Sequence, residues 1–307
     1  MKMSFADLPE LGEYHLVLVV CGYESRSRYM AEVRDISSCR KVALGYGNGE
    51  ELAFECNREF FSRSGFSFNS IKDEEFEGYI EDLIRSARKV DGKFRVLLDI
   101  SCLTRLRLAQ IVEALVEAGS FELDVFYSLA EFSPPARVQP KNEFLCPVTD
   151  YLSGWTGDAS KPVVVISGLG YEQMMALGII EHIDPANAWL FFPESPDARY
   201  DEAVRMSNDI LLSETPLSNV ITYPVMSGDA LSAKLFSLVD SLRCDYRCIL
   251  MPLGPKTFAL ASIIAGCYYG DVSVWRASAG KHCLPVDRKP SGDFAQFRIS
   301  YQADFVD

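Results

Sequence analysis

The sequence predicts an α/β protein built as two tandem Rossmann-like pseudo-repeats, each a parallel sheet flanked by helices. Short, almost continuous apolar runs alternate with amphipathic ones, the pattern of parallel strands covered on both faces by crossover helices. The same order of strand, turn and helix restarts after residue 160. Landmarks of the two halves also keep nearly constant spacing: 148 residues from Gly22 to Gly170, 151 from Arg105 to Lys256, and 149 from Phe126 to Trp275. Constant offsets are the mark of an internal duplication, although strand-turn-helix punctuation recurs in any two Rossmann-like halves.

In the first half, "YHLVLVVCGYE" (14–24) reads as a strand, followed by a helix from Ser25 to about Val33. "RKVALGYG" (40–47) is a second strand and "EELAFECNREFFSRS" (50–64) the helix after it. "EEFEGYIEDLIRSARKV" (74–90) is an amphipathic helix with an expected apolar stripe at 79, 83, 87 and 90. The strand "FRVLLDIS" (94–101), the helix "RLRLAQIVEALVEAG" and the strand "ELDVFYSL" (122–129) complete the half, taken as residues 1–130. Residues 131–160, rich in proline and polar residues, read as a linker or arm. The C-terminal half, 161–307, opens with the strand, glycine turn and helix of "KPVVVISGLGYEQMMALGIIEHI" (161–183). "NAWLFFPES" (187–195) is a strand; 202–214 and 228–244 are helices. "YRCILMPLGPKTFALASIIAG" (246–266) and "DVSVWRASAG" (271–280) mirror the close of the first half.

Composition narrows the partners. A net charge of −13 and a pI near 4.8 argue against general binding of duplex nucleic acid, which needs clustered Lys and Arg, but leave room for one local cationic pocket. Nine cysteines without a C-x-x-C pair, several inside apolar runs, predict buried reduced thiols in a cytoplasmic protein. With only three histidines, no metal site is expected. No apolar run approaches the length needed to span a bilayer, so no membrane association is expected.

Ligands of open parallel sheets bind beyond the carboxyl ends of the strands, beside helix N-termini. Each half offers two such turns: "CGYESRSR" and "DISCLTRLR", then "SGLGYEQ" and "MPLGPKT". Gly22, Gly168, Gly170 and Gly254 permit tight turns and close backbone approach. Arg105 and Lys256, at matching positions, could neutralise a phosphate, with Ser101 and Thr104 as hydroxyl donors. Thr104 could equally cap the helix, and Arg105 and Arg107 could be solvated or paired with Glu113 or Glu117. Glu24 and Glu172 align too; each could receive ribose hydroxyls, orient Arg26, act as a base, or simply favour a helix N-terminus. Tyr23 and Tyr171 could stack on a base or sit at the core edge. "SGLGYEQ" has G-x-G but not the full dinucleotide fingerprint, and "GYGNGEE" (45–51) lacks the Lys-Ser/Thr of a P-loop. His182 reads as structural; His282, beyond the last mirrored strand, could be a rim residue but more simply has no role in a site. No catalytic triad or paired-carboxylate signature emerges, so a binding role is expected ahead of a stand-alone enzyme.

The stretch "VLLDISCLTRLRLAQIVEAL" resembles the strand-four junction of CARF domains, the Rossmann-like sensors associated with CRISPR and related antiviral systems; Asp99, Ser101, Thr104 and Arg105 would fall on its polar positions. "ILMPLGPKTFALASIIA" resembles the same junction, with Gly254 and Lys256 matching. Cys102-Leu103 replaces the small glycine pair of that pattern, and Met251-Pro252 its acid and hydroxyl. The resemblance implies a nucleotide second messenger, such as a cyclic oligoadenylate, bound by a sensor that works with a separate effector. Two other readings stand beside it: a nucleotide-processing hydrolase or transferase using Glu24 or Glu172, and a protein-interaction scaffold. For a partner contact or homodimer seam, the arm around Trp155 is the first place to look. Cofactors are not legible.

Overall fold

A computed structural model of the chain describes residues 2–7, 12–36, 40–88, 93–135, 144–154, 157–278 and 285–303. In chain order the first elements are β1 (Lys2–Asp7), β2 (Leu16–Val20), a 3-10 turn (Ser25–Arg28), α1 (Tyr29–Val33), β3 (Lys41–Gly45), α2 (Phe54–Arg63) and β4 (Ser67–Ser70). They continue with α3 (Asp73–Ala87), β5 (Phe94–Asp99), α4 (Arg105–Glu117) and β6 (Phe121–Ala130). The later elements begin with β7 (Phe144–Pro147), β8 (Val163–Gly168), α5 (Met175–Ile183), β9 (Asn187–Glu194), α6 (Ala198–Ser207) and α7 (Asp209–Glu214). Then come β10 (Val220–Pro224), α8 (Gly228–Leu242), β11 (Arg247–Pro252), α9 (Lys256–Tyr269), β12 (Ser273–Ser278) and β13 (Pro290–Gln302).

The α/β class holds, with two sheets flanked by helices. One sheet runs β1-β13-β6-β5-β2-β3-β4, the other β10-β9-β8-β11-β12-β7. The strands of β6-β5-β2-β3-β4 are parallel, and so are those of β12-β11-β8-β9-β10. Counted along the chain, both read 5-4-1-2-3, so the two units repeat one topology. Antiparallel strands extend each sheet beyond its fifth strand: β13 and then β1 in the first, β7 in the second.

The compact units are Met1–Glu131 with Leu284–Asp307, and Phe132–Cys283. The expected boundaries therefore shift twice. The stretch 131–160 is not a free linker, because β7 within it pairs with β12. The C-terminal half does not run to 307, because β13 pairs with β6. In β13 the buried residues Ala295, Phe297, Ile299 and Tyr301 alternate with more exposed ones, as a strand with one covered face requires. Arg298 fastens β13 to the facing Asp124 through two bonds of 2.6 and 2.8 Å, and the Tyr14 hydroxyl donates to the same carboxylate at 2.7 Å.

In the first unit the core gathers Val17, Val19, Phe54, Phe61, Leu97 and Phe126; in the second, Val165, Ile179, Leu190, Val204 and Met251. In α3 the buried face is Phe76, Ile80, Leu83, Ile84 and Ala87; of the stripe expected at 79, 83, 87 and 90, positions 83 and 87 are buried, 79 is half-buried and 90 lies outside the described residues. Phe76 starts that stripe three residues earlier and commits the helix to the core. Each large side chain so buried contributes roughly 1.5–3 kcal/mol. The expected helix over 202–214 breaks at Asn208 into α6 and α7.

Candidate functional site

In each unit the strand order sends the chain one way from the first parallel strand and the other way from the fourth. The crevice between β2 and β5, and that between β8 and β11, is thus the topological switch point where such folds accept ligands.

In the first unit the turn after β2 meets the turn after β5. A Cβ on Gly22 would lie 3.8 Å from the Cβ of Cys102. Glu24 Oε2 accepts from Arg26 Nε at 2.6 Å and from the Cys102 thiol at 3.7 Å. Arg26 is buried; its Nη1 donates to the Ser128 carbonyl at 3.2 Å and its backbone N–H to the Arg288 carbonyl at 3.1 Å. Burial alone would lower the Arg26 guanidinium, but the Glu24 carboxylate beside it holds it above its ordinary value. Of the roles open to Glu24, orienting Arg26 is the one the geometry displays.

The turn itself is fastened from several sides. Ser25 donates through its backbone N–H and hydroxyl to Asp287, at 2.6 and 2.7 Å. Asn57, on α2 and fully buried, donates its amide to the carbonyls of Gly22 and Glu24, at 2.8 and 2.9 Å. Tyr23 gives its backbone carbonyl to Ala53, and a Cβ on Gly49 would lie 3.6 Å from its ring.

The polar junction before α4 is largely occupied by its own bonds. Asp99 Oδ1 accepts from the Ser101 N–H at 2.8 Å, an Asx turn, and the Ser101 hydroxyl accepts from the Ser128 N–H at 2.8 Å. Thr104 caps the helix by accepting from Arg107 N–H at 3.3 Å, the capping alternative of the two open to it. Its own N–H donates to the Tyr46 hydroxyl at 2.8 Å, which in turn donates to the Cys102 carbonyl at 2.9 Å. Arg105 is the first residue of α4 and half-buried.

Arg107 corrects an expectation: it is neither solvated nor paired with Glu113 or Glu117. It is wholly buried, donating to Asp73 at 2.7 Å and to the carbonyls of Gly45 and Ile71 at 2.9 and 2.5 Å. Its guanidinium carbon lies 4.0 Å from the Tyr46 ring centre and 4.4 Å from that of Phe76. One side chain therefore ties β3, α3 and α4 together.

In the second unit the turns pack backbone to backbone. A Cβ on Gly254 would collide with the Leu169 carbonyl, one on Gly168 with the Phe258 ring, and one on Gly170 with the Glu172 carboxylate. Asn208 donates its amide to the Gly170 carbonyl at 2.8 Å and to Val204 at 2.7 Å, while the Ser207 hydroxyl donates to Tyr171 at 2.9 Å. Tyr171 lies 5.7 Å from Tyr200, which meets Phe132 edge-on at 5.1 Å, so its ring has protein neighbours. Lys256 begins α9, half-buried, and the hydroxyl of the adjacent buried Thr257 has no hydrogen-bond partner among the described residues.

The structure thus brings Gly22, Glu24, Arg26, Ser101 and Cys102 together in one unit, and Gly168, Gly170, Glu172 and Gly254 in the other. Sequence reasoning missed Asn57, Asn208, Tyr46, Cys102 and Asp287. Asn57 and Asn208, 151 residues apart like Arg105 and Lys256, carried a usable signal in the repeat spacing. His282 and Trp155 lie outside the described residues. His182 is exposed near the end of α5. Among the described residues, no group of three or more His, Cys, Asp or Glu could hold a metal ion, and no helix is long and apolar enough to cross a membrane.

No protein-family model matches the chain, and no curated protein does. Among solved structures, one described as "Structure of A-type Ketoreductases from Modular Polyketide Synthase" aligns over 89% of this chain and 82% of its own, at 11% identity and a TM-score of 0.19. A likeness that low carries no argument about fold or function.

Proposed function

We propose that the protein binds a nucleotide-type anion at the carboxyl ends of its parallel strands and acts as a sensor or regulatory subunit with a separate effector. The observation that carries this reading is the matched pair Arg105 and Lys256, each the first residue of the helix after the fourth parallel strand of its unit. A cation at a helix N-terminus opposes the helix dipole, by roughly 0.3–1 kcal/mol. A cation recurring at the same place in two units, beside backbone N–H groups at a strand end, is the placement an anion-binding role calls for. The switch points are where folds of this kind accept nucleotide ligands.

The cyclic oligonucleotide class, and a place in bacterial antiviral defence, rest on the resemblance of the two junctions to CARF domains. Thermal melting against linear and cyclic nucleotides, parent beside the Arg105→Ala/Lys256→Ala variant, tests the reading. A shift specific to one compound class and lost in the variant supports it.

A further inference from the structure

The two helices that follow the fourth parallel strands begin differently. At the 151-residue spacing that matches Arg105 to Lys256, Thr104 falls on Pro255 and Leu106 on Thr257. Thr104 caps α4 by accepting from the Arg107 N–H, and the Tyr46 hydroxyl accepts from the N–H of Thr104. Pro255 holds the N-cap position of α9; proline has no side-chain acceptor, and α9 has no side-chain cap. The first N–H groups of a helix have no partner within it and favour an anion there. Thr257, the second residue of α9, is where a hydroxyl replaces the apolar side chain of the first unit. It is 1% exposed, and its Oγ1 has no hydrogen-bond partner among the described residues. A buried hydroxyl in that condition is destabilising unless something accepts from it. Helical side chains lean towards the N-terminus, so this one leans towards the end that carries Lys256.

We infer that Thr257 is a phosphate-binding residue and that the second unit is the tighter of the two anion sites. Its hydroxyl donates to an oxygen of a phosphate or pyrophosphate group held at the N-terminal end of α9, and Lys256 balances the charge. Rotation about χ1 carries the hydroxyl between staggered positions without moving the backbone. The first unit supplies the matching cation, Arg105, but there Thr104 already accepts from a first-turn N–H, and Leu106 stands where the second unit has its hydroxyl. The ligand class rests on the nucleotide-anion reading; the inequality of the two units rests on Thr257 and on the missing cap.

The test follows the melting midpoint of the full chain against pyrophosphate, from which a half-saturating concentration is read. Thr257→Val keeps the branched shape and removes the hydroxyl. Without pyrophosphate it is expected to melt at or above the parent's midpoint, because the hydroxyl has no partner to lose. Its half-saturating concentration is expected to rise about tenfold or more, the loss of a hydrogen bond to a charged group. Lys256→Ala is expected to raise that concentration more than Arg105→Ala does. Ser227→Ala, which removes the cap of α8, is expected to lower the midpoint and leave the response to pyrophosphate unchanged. A lower midpoint of Thr257→Val without pyrophosphate would assign the hydroxyl to the fold and overturn the inference. So would an unchanged half-saturation in that variant, equal effects of Lys256→Ala and Arg105→Ala, or no response of the parent. A nucleotide shift as large in Thr257→Val as in the parent sinks the role of Thr257 and leaves the nucleotide reading standing. A response to pyrophosphate that needs Thr257, with no shift from any nucleotide, upholds the site and sinks that reading.

Discussion

Asn57 and Asn208 each give a side-chain amide to the carbonyl of the glycine two residues beyond the first parallel strand of its unit, Gly22 in one and Gly170 in the other. The same device at the same place, at the spacing that relates Arg105 to Lys256, extends the repeat from strand order to individual hydrogen bonds. In both units the turn that borders the crevice is held by an asparagine from the helical segment after the second parallel strand, within α2 in one unit and at the break between α6 and α7 in the other. Asn57→Ala and Asn208→Ala each remove two side-chain bonds, one to the glycine and one to the Glu24 or Val204 carbonyl, from buried or half-buried acceptors. Each is expected to cost about 2–4 kcal/mol, read as a lower midpoint in urea unfolding with little change in slope.

Arg107→Lys tests the buried tie between β3, α3 and α4. Lysine keeps the charge but cannot serve Asp73, Gly45 and Ile71 as a fork while lying flat between two rings. A loss of about 3–5 kcal/mol is expected in the same measurement. A variant as stable as the parent would mean that water or a shifted Asp73 replaces the fork.

The glycines of the second unit make a steric prediction. Gly254→Ala places a methyl on the Leu169 carbonyl, and neither backbone segment can yield without breaking the Leu253 to Gly168 hydrogen bond. A cost of about 1–3 kcal/mol is expected. Gly178→Ala, a helical position where a Cβ meets nothing within 4 Å, is the control and should be neutral or stabilising.

Acid sensitivity follows from Glu122, whose carboxyl is held below its ordinary value: burial opposes this, but Lys93, Arg298 and Arg95 outweigh it. A carboxyl depressed in the folded state adds stability that is complete above its unfolded value of about 4.3 and is lost as pH falls through the lower folded value. Glu122→Gln should therefore lower the melting temperature at neutral pH and narrow the gap from the parent below about pH 4. A gap that stayed constant with pH would assign the loss to packing.

How far the sequence carried can be traced to particular residues. Elements with dense apolar runs, such as β2, β5 and β11, were legible because buried parallel strands leave no choice of residue. β4, with the sequence SFNS, offered no pattern, and β13 alternated clearly but lay beyond the expected repeat. Pairing of β13 with β6 is a contact between residues more than 150 positions apart, which no local periodicity reports. At the crevice, the polar residue types were visible in the sequence but their partners were not. Thr104 and Ser101 turned out to satisfy the backbone, and Arg107 the interior, because a hydroxyl or guanidinium at a strand end serves a cap or a ligand equally well on sequence alone.

The central claim is that the crevices receive a nucleotide-type anion through Arg105 and Lys256. The most direct measurement is the melting midpoint of the parent and of Arg105→Ala/Lys256→Ala against a panel of linear and cyclic nucleotides. Ligand at about a hundred times its dissociation constant stabilises the folded state by about 2.7 kcal/mol, a shift of several degrees. The account predicts that shift for one compound class in the parent and its loss in the double variant. No shift with any nucleotide, or an equal shift in both proteins, contradicts it.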